Sequence, residues 1–193
     1  MTGTARSGEG TARGAVVQAT LDFVREEAGP GGVERVLGRL SAPVLEAVRA
    51  SGPVDEIPLG QIFELWGAVD AELGSLDPEW MERAGAYSIE SAGRQNYGGI
   101  VGKPSPLEFL TQRVSLFRLF YRSGRMEVVS HDTGSALLRL VDFGPSDPLF
   151  CRRQTGGLQR ALVLARGGEP RVRHVRCVHE GDAFCEWGLA WDP

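Results

Sequence analysis

Residues 173–187, RHVRCVHEGDAFCEW, concentrate side chains that bind metals or carry out acid–base and thiol chemistry. They include two cysteines, two histidines and three acidic residues. Cysteine and histidine at short spacings are typical of metal sites, and a cysteine beside a histidine is also the arrangement of a thiol nucleophile and its base. The stretch is therefore open to three interpretations: a metal site, a catalytic thiol centre, or a pair of polar strands.

The three cysteines of the chain are spaced so that they can meet at one point. Cys177 and Cys185 flank a predicted strand–turn–strand, and Cys151 falls in the first turn of the last predicted helix. His174, three residues before Cys177, adds an imidazole. Three sulfurs and one imidazole form the donor set of a closed tetrahedral zinc site. One interpretation is therefore a structural zinc ion that ties the last helix to the last hairpin.

The spacing of His174 and Cys177 requires an irregular strand. Positions three apart face opposite sides of a regular strand, so both side chains reach one metal ion only if the strand bulges or ends early. His179 in the turn is an alternative fourth ligand, and Glu180 is a weaker one. A separate interpretation treats the cysteines as small buried hydrophobic side chains that bind no metal.

A cysteine-dependent enzyme is a further alternative. The unpaired N–H groups of a helix N-terminus favour a thiolate at Cys151, and His131 or His174 would act as its base. This interpretation needs a free and reactive Cys151, which metal ligation forbids.

The elements that must position these residues begin with helices over the first two thirds of the chain. AGPGG, residues 28–32, interrupts the first helical pattern. Ser105–Pro106 and Asp77–Pro78 are helix-start signatures, because each places a capping side chain before a proline. Between these two helices GRQNYGGIVGKPSP is a glycine-rich loop. The strongest amphipathic stripe of the chain comprises Leu59, Ile62, Phe63, Trp66, Val69 and Leu73.

From Arg125 the hydrophobic period changes to that of strands. RMEVVSHD and SALLRLVDF around DTG predict a hairpin, and PSDP begins the last helix. RVRHVRCV and FCEWGLAW, joined by HEGD, predict a second hairpin. The fold class is α+β, with an N-terminal helical subdomain packed on a small antiparallel sheet with a crossing helix. We expect a disordered leader over residues 1–14 and a single domain over 15–193, divided into a helical part (15–121) and a sheet part (122–193) that carries the zinc site.

Composition excludes several classes of function. The net charge is −4 and Lys103 is the single lysine, so neither nucleic acid nor an anionic membrane is an expected partner. No apolar run approaches the roughly 20 residues of a membrane span, and the first fourteen residues lack the apolar core of a signal peptide. We expect a cytoplasmic protein, in which three cysteines are not used for disulfides.

Two other motifs resemble cofactor sites. YGGIVGKP fails as a phosphate loop, because Tyr97 and Pro104 stand where the motif needs glycine and Ser or Thr. YRSGR, residues 121–125, matches the Y-x-S-x-R signature of haem nitric-oxide-binding domains, which holds the haem propionates. Those domains also need an upstream histidine on the iron, and no histidine precedes His131. The sequence therefore predicts no haem.

The C-terminal pattern resembles the four-vinyl-reductase domain, whose last hairpin reads Cys-x-x-x-Gly-Asp-x-x-Cys. That domain also forms the sensor of bacterial regulators of phenols, where zinc is held by one helix cysteine, two hairpin cysteines and a glutamate. The matching positions here are Cys151, His174 in place of the glutamate, Cys177, Gly181, Asp182 and Cys185. The resemblance implies a structural zinc on Cys151, His174, Cys177 and Cys185.

The front of the chain, ARGAVVQATLDFVREEAGPGGVERVL, is similar to the opening of haem nitric-oxide-binding domains, which share a fold with the four-vinyl-reductase domains. The whole layout also resembles a myxobacterial paralogue family of unknown function. The resemblance covers about residues 12–192. It implies the ligand-binding fold of nitric-oxide signalling and Golgi transport proteins.

The function that this resemblance implies is a non-enzymatic sensor or adaptor that binds a small apolar or aromatic molecule or a fatty acyl chain. Its signal would pass through a partner protein or a homodimer. The second hypothesis is an interaction scaffold of the same fold with a filled pocket, as in tethering subunits, and the cysteine-dependent enzyme is the third. The residues expected to line the ligand pocket, between the helices and the sheet, are Trp66, Tyr87, Phe117, Tyr121 and His131.

Overall fold

The computed structural model describes residues 10–95, 105–144, 146–165 and 168–192. It has the predicted α+β architecture, with helices followed by an antiparallel sheet and one helix crossing between strands of that sheet. The helices are α1 (Gly14–Leu37), α2 (Ala42–Ala50), α3 (Leu59–Leu73), α4 (Trp80–Gln95), α5 (Pro106–Phe120) and α6 (Pro148–Leu164). The strands are β1 (Thr11–Arg13), β2 (Glu56–Pro58), β3 (Arg125–His131), β4 (Ser135–Val141), β5 (Arg171–Arg176) and β6 (Cys185–Ala190).

The strands form two antiparallel sheets. β1 pairs with β2, and the larger sheet has the order β3-β4-β6-β5. The helix α6 connects β4 to β5, so it crosses from the middle of the sheet to its edge. Its first turn consequently lies beside the β5–β6 hairpin, where the predicted metal ligands are.

Local sequence explains where the helices begin and bend. Ser105 accepts a hydrogen bond from the Glu108 amide at 3.2 Å, and Asp147 accepts one from the Leu149 amide at 2.8 Å, as expected for the residue before an N-terminal proline. The predicted interruption at AGPGG is a kink inside α1, where Gly29 has φ 68°. That backbone conformation favours glycine, because a Cβ would be strained there.

The helices α4 and α6 cross at glycines. A Cβ on Gly85 would lie 2.1 Å from the Arg153 carbonyl oxygen, and one on Gly156 would lie 1.9 Å from that of Glu82. Only glycine allows backbones to approach this closely. The crossing fixes the position of the first half of α6 against the helical subdomain.

The disordered leader predicted for residues 1–14 overlaps the first strand of the structure, β1. Residues 1–9 and the segment 96–104 of the glycine-rich loop lie outside the described residues, but Thr11–Arg13 form β1 and Ala12 is fully buried. Ala12 pairs with Ile57, and Thr11 accepts a hydrogen bond from the Arg122 amide at 2.8 Å. The alternation of these short residues gave too weak a strand signal to be recognised, since a three-residue strand shows almost no period.

Candidate functional site

The predicted metal ligands come together at the N-terminal end of α6. One ligand atom from each of Cys151, His174, Cys177 and Cys185 lies within 4.8 Å of the others. The Sγ atoms of Cys151 and Cys185 are 3.6 Å apart. All three cysteines are free and buried. The side chains thus place three sulfur donors and one imidazole around a single point.

His174 reaches the cluster because β5 is irregular at its end. Its register against β6 shifts between His174 and Arg176, and the strand stops at Arg176. Both irregularities that the sequence required are therefore present. The Cys177 amide donates to Asp182 Oδ2 at 2.8 Å, which fixes the turn that follows.

The imidazole of His174 is held by packing. It stacks on Trp187, with ring centroids 4.6 Å apart and an interplanar angle of 18°. Its Nε2 atom is buried and has no hydrogen-bond partner among the described residues. The alternative ligand His179 is exposed, with its Nε2 3.3 Å from Ser146 Oγ, and it lies outside the cluster.

The three thiols perturb one another electrostatically. A hydrogen bond from Cys151 lowers the pKa of Cys185, and the same bond together with burial raises the pKa of Cys151. Burial raises the pKa of Cys177. The proposed base His131 is exposed at the end of β3 and is not part of the cluster. The arrangement offers soft donors to a cation, and of the two histidines considered as a base for Cys151, His174 belongs to the cluster and His131 does not.

A second feature is a partly open cavity of about 130 Å³ between the helices α1, α4 and α6 and the end of α5. Its wall combines small side chains, three aromatic rings and a few polar groups. The lining residues are Ala15, Val16, Gln18, Ala19, Asp22, Pro53, Gly85, Ser88, Ile89, Ser91, Phe117, Phe120, Tyr121, Arg153, Gln154 and Gly157.

Arg153 is the charged group in the wall of this cavity that lies deepest in the protein. It is 4 % exposed, and its guanidinium donates to Ser88 Oγ and lies 5.2 Å from the centre of the Trp66 ring. Its Nη1 atom is buried and has no hydrogen-bond partner in the described part of the chain, and the same is true of Gln154 Oε1. Burial lowers the pKa of Arg153, and a hydrogen bond with Tyr121 opposes that shift.

The cavity is lined by two of the five residues that the sequence predicts for the ligand pocket. Phe117 and Tyr121 line the cavity. Trp66 is fully buried behind Arg153 and donates its indole N–H to Thr20 Oγ1 at 3.2 Å. Two of the five predicted residues lie elsewhere among the described residues: Tyr87 donates to Glu26 Oε1 at 2.9 Å, and His131 is exposed.

Sequence reasoning missed Arg153 and Gln154. Two adjacent arginines in the last predicted helix gave no sign that one of them is buried. The neighbouring Gly156 and Gly157 were the available signal, since paired glycines inside a helix indicate close approach of another chain segment.

The Y-x-S-x-R residues already have partners within the protein. The Tyr121 ring stacks on Phe117 with centroids 5.0 Å apart. Ser123 Oγ donates to the Gly144 carbonyl oxygen at 2.8 Å and accepts from the Gly144 amide at 3.1 Å. The Arg125 guanidinium is paired with Glu127 and Asp142 at the surface.

Comparison of the fold with solved structures gives a consistent group of neighbours. An H-NOX protein from S. oneidensis in the Fe(II)NO ligation state has a TM-score of 0.72 and 13% sequence identity, over 94% of this chain and 99% of that chain. The fold is that of the H-NOX proteins. An Fe(II) unliganded H-NOX protein from K. algicida has a TM-score of 0.70 and 10% identity, over 94% of this chain and 97% of that chain.

A third neighbour is an oxygen-binding H-NOX domain related to soluble guanylate cyclases, solved as its oxygen complex. It has a TM-score of 0.68 and 14% identity, over 94% of this chain and 95% of that chain. No protein-family profile matches the chain. No curated protein sequence matches it either. The H-NOX likeness is therefore one of structure.

The comparison corrects the family prediction. The neighbours are H-NOX proteins, so the identification as a four-vinyl-reductase-like domain is wrong. The similarity of the opening residues to haem nitric-oxide-binding domains agrees with the fold of these neighbours. The four-vinyl-reductase pattern misled because it rested on a short hairpin, whereas the H-NOX likeness extends over 94% of the chain.

The same comparison corrects the predicted function and cofactors. Neighbouring H-NOX proteins are described by their haem, so the exclusion of haem and the description as a zinc module were both wrong as inferences from family. The exclusion of haem depended on the lack of a histidine before His131, although the chain has the H-NOX fold. None of the reported neighbours is described by a zinc ion, and zinc loses the support that the four-vinyl-reductase resemblance gave it.

A haem requires more space and more binding groups than the cavity offers. Its volume of about 130 Å³ is below the roughly 300 Å³ of the smallest drug-sized ligand sites. Its described lining includes no histidine, cysteine or methionine to bind iron, and its tyrosine, Tyr121, stacks on Phe117 and hydrogen-bonds with Arg153. Ser123 and Arg125 are occupied by Gly144, Glu127 and Asp142. In this form the cavity does not fit a haem.

No helix within the described part of the chain is long and apolar enough to cross a membrane.

Proposed function

We propose that this chain is a small-molecule-binding domain of the H-NOX fold, and that its ligand occupies the cavity between α1, α4 and α6. The observation that carries the proposal is that two residues of the cavity wall, Arg153 and Gln154, each have a buried polar atom, Nη1 and Oε1, without a hydrogen-bond partner among the described residues. A buried polar group without a partner costs about 1–3 kcal/mol. A ligand that offers an acceptor to Arg153 Nη1 recovers part of that free energy on binding, and one that also offers a donor to Gln154 Oε1 recovers more.

The fold supports the proposal. Its solved examples include an NO-ligated and an oxygen-bound protein, so a domain of this shape accommodates small ligands in its interior. The small side chains of Ala15, Ala19 and Ser88 leave space in a region that three helices otherwise fill. A ligand in this cavity would contact both the helical subdomain and α6, and α6 is followed by β5 of the larger sheet.

Thermal unfolding in the presence of four classes of compound tests the proposal. The classes are neutral aromatics, aliphatic amines, small carboxylates and haem, the last also followed by its Soret absorbance. A compound that binds only the folded state raises Tm with its concentration. We expect at least one of the first three classes to raise Tm saturably.

An Ala19→Leu variant places the effect in the cavity. Ala19 is half-buried in the cavity wall, so a leucine there fills the space and should abolish the rise in Tm. Ala71→Leu, on the exposed face of α3, is the matched control and should retain it. Stoichiometric haem binding, or no response to any class, would overturn the proposal.

A second candidate function follows from the thiol cluster. We propose that Cys151, His174, Cys177 and Cys185 hold a thiophilic metal ion, because their four donor atoms lie within 4.8 Å of one another. Closed four-coordinate sites of such donors stabilise a fold rather than catalyse a reaction. In this account the chain acts by binding, and any signal passes to a partner protein or a second copy of the chain.

A further inference from the structure

We infer that the ligand of the cavity is a small carboxylate, held by Arg153. This inference rests on the proposed function and specifies the chemical class of the ligand. The guanidinium of Arg153 is positively charged, because arginine side chains stay protonated in proteins. A buried charge is normally paired with an opposite charge.

Arg153 has no such partner among the described residues. Its contacts are the hydroxyl oxygens of Ser88 and Tyr121 and the face of the Trp66 ring. Hydroxyl groups and an aromatic face stabilise a cation, but they carry no negative charge. The Nη1 group is buried and has no partner among the described residues, so its two N–H donors and one unit of charge are left for a ligand.

The other charged group of the cavity wall does not neutralise Arg153. Asp22 is half-buried at the rim, and its Oδ1 atom is 2.5 Å from Arg25 Nη1. The negative charge of Asp22 is therefore balanced by Arg25 and not by Arg153. The interior of the cavity is therefore the place where an anion gains most, because charge-assisted hydrogen bonds to a guanidinium are strong and geometrically specific.

The rest of the wall limits the size and shape of the ligand. Phe117, Phe120 and Tyr121 provide an apolar surface on one side, and Ala15 and Ala19 provide one on the other. The volume of about 130 Å³ is well below the roughly 300 Å³ of the smallest drug-sized ligand sites, so the ligand is small. These walls fit a carboxylate with a short aliphatic or single-ring tail.

Isothermal titration with matched pairs tests the inference on the unaltered chain. The carboxylates are acetate, propionate, butyrate and benzoate, and the controls are the corresponding neutral amides. We expect at least one carboxylate to bind about tenfold or more tightly than its amide, because the amide has nearly the same shape but no charge. If the amides bind as tightly as the carboxylates, the inference is overturned and the proposed function stands. If none of these carboxylates and amides binds but a neutral aromatic or an amine does, the inference is likewise overturned and the proposed function stands.

Two variants place the effect at Arg153. Arg153→Met keeps the length of the side chain without its charge, and the preference for the carboxylate over the amide should disappear. Arg152→Met is the matched control: Arg152 pairs with Glu82 outside the cavity wall, so the preference should remain. An undiminished preference in Arg153→Met would contradict the inference. If that variant fails to fold, the carboxylate–amide comparison on the unaltered chain still decides the question.

Discussion

At the scale of single residues, His174 shows how an irregular strand creates a site. The regular alternation of a strand would send His174 and Cys177 to opposite faces. The register shift after His174 and the end of β5 at Arg176 remove that obstacle. Stacking on Trp187 then holds the imidazole beside the sulfurs. His174 is consequently a positioned donor, whereas His179, five residues further along, is exposed.

Elemental analysis of the purified protein tests this assignment at single residues. We expect about one transition-metal ion per chain, as in closed sites of four donors. His174→Gln should lower the metal content and the Tm, because one donor is lost. His179→Gln is the matched control and should change neither. A metal-free protein, or metal loss in His179→Gln alone, would show that the cluster is not the site.

At the scale of elements, the sequence predicted most helices and strands of the sheet region and the stripe of α3. Capping residues before prolines marked α5 and α6, and the change of period at Arg125 marked β3 and β4. The kink in α1 followed from Gly29 and Pro30. β1 was missed, and so was the crossing of α4 on α6, because such contacts depend on how distant segments pack and leave no periodic signal.

The glycine crossing carries a prediction about stability. A methyl group at Gly156 would overlap the Glu82 carbonyl oxygen, so Gly156→Ala should force α4 and α6 apart and lower the free energy of unfolding by about 1–3 kcal/mol. Gly67→Ala is the control: Gly67 lies inside α3 with open space around its Cα, and the change should stabilise by ~0.5–1 kcal/mol. Urea unfolding measures both. Equal effects of the two substitutions would contradict a close crossing.

At the scale of the whole molecule, sequence reasoning reached the architecture and missed the fold family. The α+β layout with a crossing helix is confirmed, whereas the four-vinyl-reductase identification is replaced by the H-NOX fold. Sequence identities of 10–14% explain the difference. Hydrophobic periodicity is preserved at such distances and specifies the layers, but short motifs arise independently and do not specify the family.

The thiol cluster could be predicted from the sequence, whereas the cavity could not. The four donors of the thiol cluster are rare residue types at short spacings, so the sequence alone brought them together. The cavity is lined by common residues from four helices, and its one distinctive feature is an arginine that the sequence gives no reason to bury. Burial of Arg153 depends on the packing of α4 against α6.

The central claim is that the cavity between α1, α4 and α6 binds a small molecule. The most direct measurement is a titration of the ¹⁵N-labelled protein, followed by the amide chemical shifts in two-dimensional NMR, with the neutral aromatic, aliphatic amine or small carboxylate that raises Tm most. We predict saturable shifts of the Ala19, Gly85 and Gly157 amides, which line the cavity, and none at Gly181, in the turn before β6. Unchanged spectra, or shifts confined to residues outside the cavity wall, would contradict the claim.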